Sequence, residues 1–238
     1  MRVLVTRPQN KAEKTGALLA AMGHQPVAMP LFETVHHVDE AREAIARESW
    51  AALAVTSTEA LHGIEAKRDA PDMIDRPVFA VGTETAGRAK EAGFTRVFTG
   101  QGNGERLAEA IAAEPSLFVR APLLYLAGSP RAPYLERRLE ALHVPFVTAT
   151  VYAMEPLNYD AAEIDTLVGT ADAILFYSHM TAARFFALGA GRALAKRDEP
   201  PALICLSANV AHAVPAELAD HVRIADRTNE KSLLALLA

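Results

Sequence analysis

Residues Leu123–Pro156, LLYLAGSPRAPYLERRLEALHVPFVTATVYAMEP, read as a strand, a helix and a second strand. Laid against Val3–Glu33, VLVTRPQNKAEKTGALLAAMGHQPVAMPLFE, the stretch aligns at a constant offset. Leu124 with Leu4, Leu139 with Leu19, Leu142 with Met22, Val147 with Val27 and Tyr152 with Phe32 are each 120 positions apart. The register continues with small slips. AALAVTSTEAL around Ser57 matches DAILFYSHMTA around Ser178, VFAVGTETAG around Gly82 matches LICLSANVAH around Ser207, and NGERLAEAI matches NEKSLLALL. Solenoid units repeat every 20 to 50 residues or so, far shorter than this period, so the chain is two related α/β halves.

The 238 residues give each half enough chain for a core of its own. Half the residues are apolar and 22% are charged, the balance of an ordinary globular protein. No apolar run approaches the roughly 18 residues of a membrane span, and MRVLVTRP enters a strand pattern without a signal-peptide core. A cytoplasmic protein is expected. The net charge of −5 gives no support for nucleic-acid binding. Cys205, the single cysteine, lies in the apolar run ALICL and reads as a core thiol rather than a nucleophile.

Strands are expected at Val3–Thr6, Val27–Leu31, Ala52–Val55, Val78–Val81 and Val97–Thr99, with helices at Lys11–Met22, Glu40–Glu48, after Thr56 and at Glu105–Ala112. The second half repeats the plan with strands at Leu123–Leu126, Phe146–Val151, Ala173–Phe176, Leu203–Leu206 and Val222–Ala225. Pro30 interrupts its strand and suits an edge or crossover, because proline cannot donate to a ladder. Strand alternating with helix predicts an α/β fold of two similar domains. Each is a mostly parallel sheet of about five strands with helices on both faces. The loops Lys67–Pro77, Glu114–Pro122 and Lys196–Pro201 are candidate joints.

Several motifs carry residues with chemical potential. His36 and His37 are adjacent on an extended segment, point to opposite sides and cannot share a metal ion. Thr56 with Glu59 has the S/T-x-x-E spacing of a capping box, and a helix start at a strand's carboxyl end also presents N–H donors to a ligand. Gly82–Gly87 has the frame of a phosphate loop, but Arg88 and Ala89 stand where Lys and Ser or Thr are required. The turn still offers the Thr83 and Thr85 hydroxyls to an anion. Gly100, Gly102 and Gly104, with Gln101 and Asn103 between them, have the wrong spacing for a dinucleotide fingerprint and read as a flexible loop. No metal and no cofactor is expected.

VLVTRP followed by PLFE, the Thr56-Ser57 pair before a helix, VFAVGTETAGRAKEAGF, YLAGSPRAPYLERRLEAL running into Val151-Tyr152, and the FYS of Ser178 together resemble the uroporphyrinogen-III synthase family over nearly the whole chain. The resemblance implies a discontinuous architecture. Domain 1 is residues 1–35 plus 153–238 and domain 2 is residues 36–152, joined by extended linker strands at about 30–38 and 148–156 that flank a substrate cleft. It implies cofactor-independent cyclisation of hydroxymethylbilane, a linear tetrapyrrole with eight carboxylates, with inversion of ring D and loss of water. It implies a monomer that takes its substrate by hand-over from the preceding pathway enzyme.

On this resemblance Tyr152 assists departure of the hydroxyl, whereas the other reading of it is an aromatic packed on a linker strand. The strand-to-helix turns at Arg7, Thr56, Ser57, Gly82, Thr83, Thr85, Gly128, Arg131, Ser178, Ser207 and Asn209 would hold carboxylates through hydroxyls and N–H groups. Arg7 and Arg131 add charge-assisted bonds or are solvated loop arginines. The chain departs from the family in lacking Gly-x-x-Thr at Ser207–Val210 and in placing Tyr177 and His179 around Ser178. The alternative reading is a non-catalytic two-domain protein that binds a small anionic ligand or a tetrapyrrole.

Overall fold

The computed structural model describes residues 1–47, 50–100 and 102–237. In chain order its strands are β1 (Arg2–Val5), β2 (Gln25–Ala28), β3 (Phe32–His36), β4 (Ala52–Val55), β5 (Val78–Ala80) and β6 (Val97–Thr99). They continue as β7 (Leu123–Ser129), β8 (Phe146–Pro156), β9 (Ala173–Phe176), β10 (Ala202–Cys205) and β11 (Val222–Ile224). Two sheets result, one of five strands in the order β11-β10-β9-β1-β2 and one of six in the order β3-β8-β7-β4-β5-β6.

Strands β4 and β9 are buried along their whole length, as expected where helices cover both faces of a parallel sheet. Parallel pairing joins β9 to β1 and to β10, and β4 to β5 and to β7. The exception is β3. His37 N–H donates to the Val151 carbonyl at 2.8 Å and Thr34 lies beside Met154, so β3 runs antiparallel to β8.

The chain forms two compact units, Met1–Glu33 with Glu155–Ala238, and Thr34–Met154. They are not the two sequence repeats. The chain leaves the first unit within β3 and re-enters it within β8. In the first unit Val3, Val5, Leu175 and Ile204 pack on Leu19, Leu233 and Leu234. Successive strand residues alternate faces. Phe176, one residue on from Leu175, meets Phe185 edge-on at 5.2 Å.

The second unit has a core on each side of its sheet. Leu53, Val55, Val78 and Leu126 pack with Ile45, Trp50, Leu61 and Phe94. Ala52, Ala54, Phe79 and Tyr125 pack with Leu107, Ile111 and Leu139 on the other face. Each buried leucine, isoleucine, valine or phenylalanine among them contributes about 1.5–3 kcal/mol by leaving water.

Several element boundaries differ from the sequence reading for identifiable reasons. The strand expected at Val27–Leu31 is Gln25–Ala28, and Pro30 falls in the connection to β3, where no ladder donor is required. The helix expected at Glu40–Glu48 is Val38–Ala46, and Glu48 lies outside the described residues. The segment after Thr56 is a 3₁₀ turn, Thr58–Leu61, rather than an α-helix. Its cap is Ser57, whose Oγ accepts from Glu59 N–H, so the expected capping box around Thr56 does not form.

In the loop of alternate glycines Asn103 caps the helix Gly104–Ala112 by accepting from Arg106 N–H, while Gln101 lies outside the described residues. Cys205 is fully buried and burial pushes its thiol up to about 12, which removes it from nucleophilic chemistry at neutral pH. No helix among the described residues is long and apolar enough to cross a membrane.

Candidate functional site

In the second unit the strand ends bring Tyr152, Gly128, Ser57, Thr56 and Arg131 to one edge of the sheet. The register of β7 on β8 slips between Ala127 and Gly128, which sets Tyr152 opposite Gly128. There the phenol ring occupies the space a side chain at 128 would take, since an added Cβ would stand 2.5 Å from the Tyr152 oxygen. The ring is half-buried and packs on the core that contains Val55, Leu61 and Leu126. Burial raises the phenol above its usual value, Ser57 as hydrogen-bond partner pulls it down, and the Glu59 carboxylate raises it again. Tyr152 therefore keeps its proton through neutral pH and has one to donate.

Next to it, Thr56 Oγ1 and the Tyr125 hydroxyl are 3.0 Å apart. Tyr125 is buried and its phenol is raised mainly by desolvation. Thr56, Tyr125, Arg131 and Tyr134 line a cavity of about 300 Å³ that also takes in Gly102 and Gly104. The sequence reading missed Tyr125. A tyrosine inside the aliphatic run LLYLA was the available signal, because a buried phenol requires a hydrogen-bond partner.

Arg131 is not a free cation. It forks onto Glu136, with Nη2 to Oε1 at 2.9 Å and Nε to Oε2 at 3.2 Å, and Thr148 Oγ1 donates to the same carboxylate at 3.0 Å. The guanidinium holds Glu136 below the usual carboxylate range and is itself raised by it. Gly82 is the N-cap of the helix Thr83–Glu91, where Thr83 is exposed and Thr85 is buried. Having no side chain to cap with, Gly82 leaves that helix start open to an outside acceptor.

In the first unit Arg7 is engaged as well. Its Nη1 donates to Glu230 Oε1 at 2.7 Å and to Thr15 Oγ1 at 3.0 Å, and the guanidinium lies 4.1 Å from the centroid of Tyr177. Thr15 and Tyr177 donate to the same Glu230 oxygen at 2.6 and 2.9 Å. Burial drives the Tyr177 phenol well above the ordinary range. Ser178 caps the helix His179–Ala187 by accepting from Thr181 N–H at 3.1 Å. Ser207 precedes a helix of four residues, Ala208–Ala211, on which Asn209 is exposed. So short a helix sums few peptide dipoles and holds an anion weakly.

His36 and His37 diverge as expected from adjacent extended residues. His36 Nε2 reaches Glu59 at 2.8 Å, while His37 Nδ1 lies 3.8 Å from Glu40. No group of three or more metal-ligating side chains occurs among the described residues.

A family profile described as Uroporphyrinogen-III synthase HemD matches residues 13–235. The chain belongs to the uroporphyrinogen-III synthase family. Members are cyclising lyases of heme biosynthesis. The crystal structure of uroporphyrinogen-III synthetase from Helicobacter pylori is similar over 100% of this chain and 98% of that one, with a TM-score of 0.65 and 18% identity. A mutant uroporphyrinogen III synthase from Thermus thermophilus is similar over 100% and 97%, with a TM-score of 0.57 and 17% identity. These likenesses carry the fold, with its two mostly parallel sheets. No curated protein sequence matches the chain.

Proposed function

We propose that this chain closes hydroxymethylbilane to the type III uroporphyrinogen, with Tyr152 as the proton donor to the departing hydroxyl. Family membership supports the reaction class. The observation that supports the residue is the half-buried, protonated phenol seated on Gly128 at the edge of a parallel sheet, where α/β folds bind ligands.

In this reading Tyr152 gives its proton to the hydroxymethyl oxygen, the C–O bond breaks and water leaves. The substituted carbon of ring D then attacks to give the spirocyclic intermediate. The older bond from that carbon to the ring C methylene then breaks, the freed methylene is attacked by the unsubstituted α-carbon of ring D, and the proton lost from that carbon as the macrocycle closes returns to the phenolate. Proton donation of this kind contributes about 10²–10⁴ in rate. Holding the bilane so that the substituted carbon attacks is a matter of positioning, for which about 7–11 kcal/mol is available in favourable cases.

In the second unit, carboxylates of the substrate would be met by the start of the nine-residue helix Thr83–Glu91 and by hydroxyls at Thr56 and Ser57. Arg131 would take a smaller share, because Glu136 already neutralises it. The same reading takes the chain to be a cytoplasmic monomer that receives the bilane by hand-over from the enzyme that makes it.

The test is the isomer assay. Purified protein with hydroxymethylbilane, followed by chromatographic separation of the products, is expected to give mainly the type III isomer. Type I alone, formed at the rate of an enzyme-free control, would overturn the proposal.

A further inference from the structure

The cavity of about 300 Å³ in the second unit has a buried phenol in its wall, Tyr125, to which the proposed reaction gives no part. Tyr125 stands on β7 in register with Ala54 of β4. Side chains two apart along a strand share a face, so Thr56 lies one step beyond Ala54 on the side that Tyr125 occupies. The ring packs among Ala54, Phe79 and Leu135. Its hydroxyl reaches the end of β4, where the phenol oxygen and Thr56 Oγ1 are 3.0 Å apart.

Only one proton fits between two oxygens, and each hydroxyl has one proton to give. Tyr125 is 3% exposed and meets no other acceptor among the described residues. A phenol proton turned elsewhere would forfeit the hydrogen bond that a buried hydroxyl requires. A phenol is also more acidic than an aliphatic hydroxyl and is the better donor of the two. Thr56 is only part-buried, lines the cavity, and has no acceptor of its own among the described residues. The order of donation follows: Tyr125 gives its proton to Thr56 Oγ1, and the Thr56 proton is directed into the cavity.

The cavity is too small for a tetrapyrrole and large enough for one of its carboxylate arms. Its wall is tight at Gly104, where an added Cβ would stand 3.1 Å from the Leu135 backbone nitrogen. Arg131 in the same wall already holds Glu136, whereas the Thr56 proton is uncommitted. A hydroxyl that accepts one hydrogen bond is polarised into a stronger donor for the next.

We propose that Tyr125 is a positioning residue for substrate binding, which donates to Thr56 and so aims the Thr56 hydroxyl at one carboxylate arm in this cavity. The proposal rests on the reading that Thr56 meets a carboxylate of the bilane. Tyr125→Phe keeps the ring and removes the donated proton. It is expected to raise KM for hydroxymethylbilane about three- to tenfold with kcat within about twofold, the pattern of lost uniform binding. Thr56→Val is expected to raise KM at least as much, and Thr56→Ser, which keeps a hydroxyl, to stay within about twofold of the native value. In a Thr56→Val background, Tyr125→Phe is expected to raise KM no further, as for residues that act as one unit. An unchanged KM in Tyr125→Phe, or losses that multiply in the double variant, overturns the proposal.

A second measurement needs no turnover. Ring closure leaves all eight carboxylates in place, so uroporphyrinogen III, kept reduced under nitrogen, serves as the probe in calorimetric titration. Tyr125→Phe is expected to weaken its binding about three- to tenfold in the native background and not in Thr56→Val. Equal affinity of native protein and Tyr125→Phe, or no binding to the native protein, overturns the proposal. If the native protein forms no type III isomer the reaction assignment fails, and the titration still decides whether Tyr125 acts through Thr56.

Discussion

The ring of Tyr152 lies on the backbone of Gly128, at the point where β7 and β8 slip register by one residue. Gly128 is outside the left-handed region, so glycine is required there by space and not by backbone conformation. Gly128→Ala is expected to cost about 1–3 kcal/mol by overpacking. In a Tyr152→Ala background, where the ring is gone, the same change is expected to cost under about 1 kcal/mol. Urea denaturation of the four proteins checks both values.

Tyr152→Phe keeps the ring and its packing and removes the proton. Turnover is expected to fall by about 10²-fold, the lower end for a lost general acid, with little change in KM. Because the native phenol is raised above its ordinary value, the rate dependence on Tyr152 is expected to stay flat from pH 7 to about 10. A decline with a midpoint below pH 9 that is absent from Tyr152→Phe would remove the residue from this role.

Glu136 masks Arg131. Glu136→Gln is expected to free the guanidinium and lower KM for the polycarboxylate substrate about two- to fivefold, since a released charge-assisted donor can bind a carboxylate. The pair is partly exposed, so its loss is expected to cost no more than about 1 kcal/mol. Steady-state kinetics and a thermal melt of the variant check the two parts.

Tyr177 is expected to make stability fall at alkaline pH. Its phenol is raised in the folded state, chiefly by burial, so it favours folding fully below the unfolded value of about 10 and loses that contribution as pH rises toward the folded value. The native protein is expected to lose stability more steeply than Tyr177→Phe between pH 10 and 11. Midpoints of denaturation across that window give the comparison. Equal slopes would show that Tyr177 does not carry the effect.

How much of this was legible in the sequence varies with the range of the interaction. The α/β alternation was readable because buried parallel strands such as Ala52–Val55 and Ala173–Phe176 are continuous apolar runs, and the helices between them show their own period. The end of the helix expected at Lys11–Met22 was readable because Gly23, with φ of 80°, takes the left-handed conformation that stops a helix locally. Ser57 and Ser178 were marked as helix-start hydroxyls, and both serve as caps.

Capping at Thr56 was misread. The hydroxyls of Thr56 and Ser57 are neighbours, and only the approach of Tyr125 decided which of them capped the turn and which faced the strand. The pairing of charges was out of reach for the same reason. Arg7 meets Glu230 across 223 positions, and His36 meets Glu59 across 23. No periodicity relates such residues, because an ion pair is set by the distance between segments after the sheet has formed.

Periodicity, glycine and proline placement and the internal repeat therefore determined the fold class and put most candidate residues at the carboxyl ends of strands in their own sheets. The tertiary structure alone decided that Arg7 and Arg131 are neutralised, that Tyr125 is buried against Thr56, and that Tyr152 rests on Gly128. Local backbone preferences act over a few residues and can be read along a chain, whereas burial and pairing depend on what other segments bring within a few ångströms.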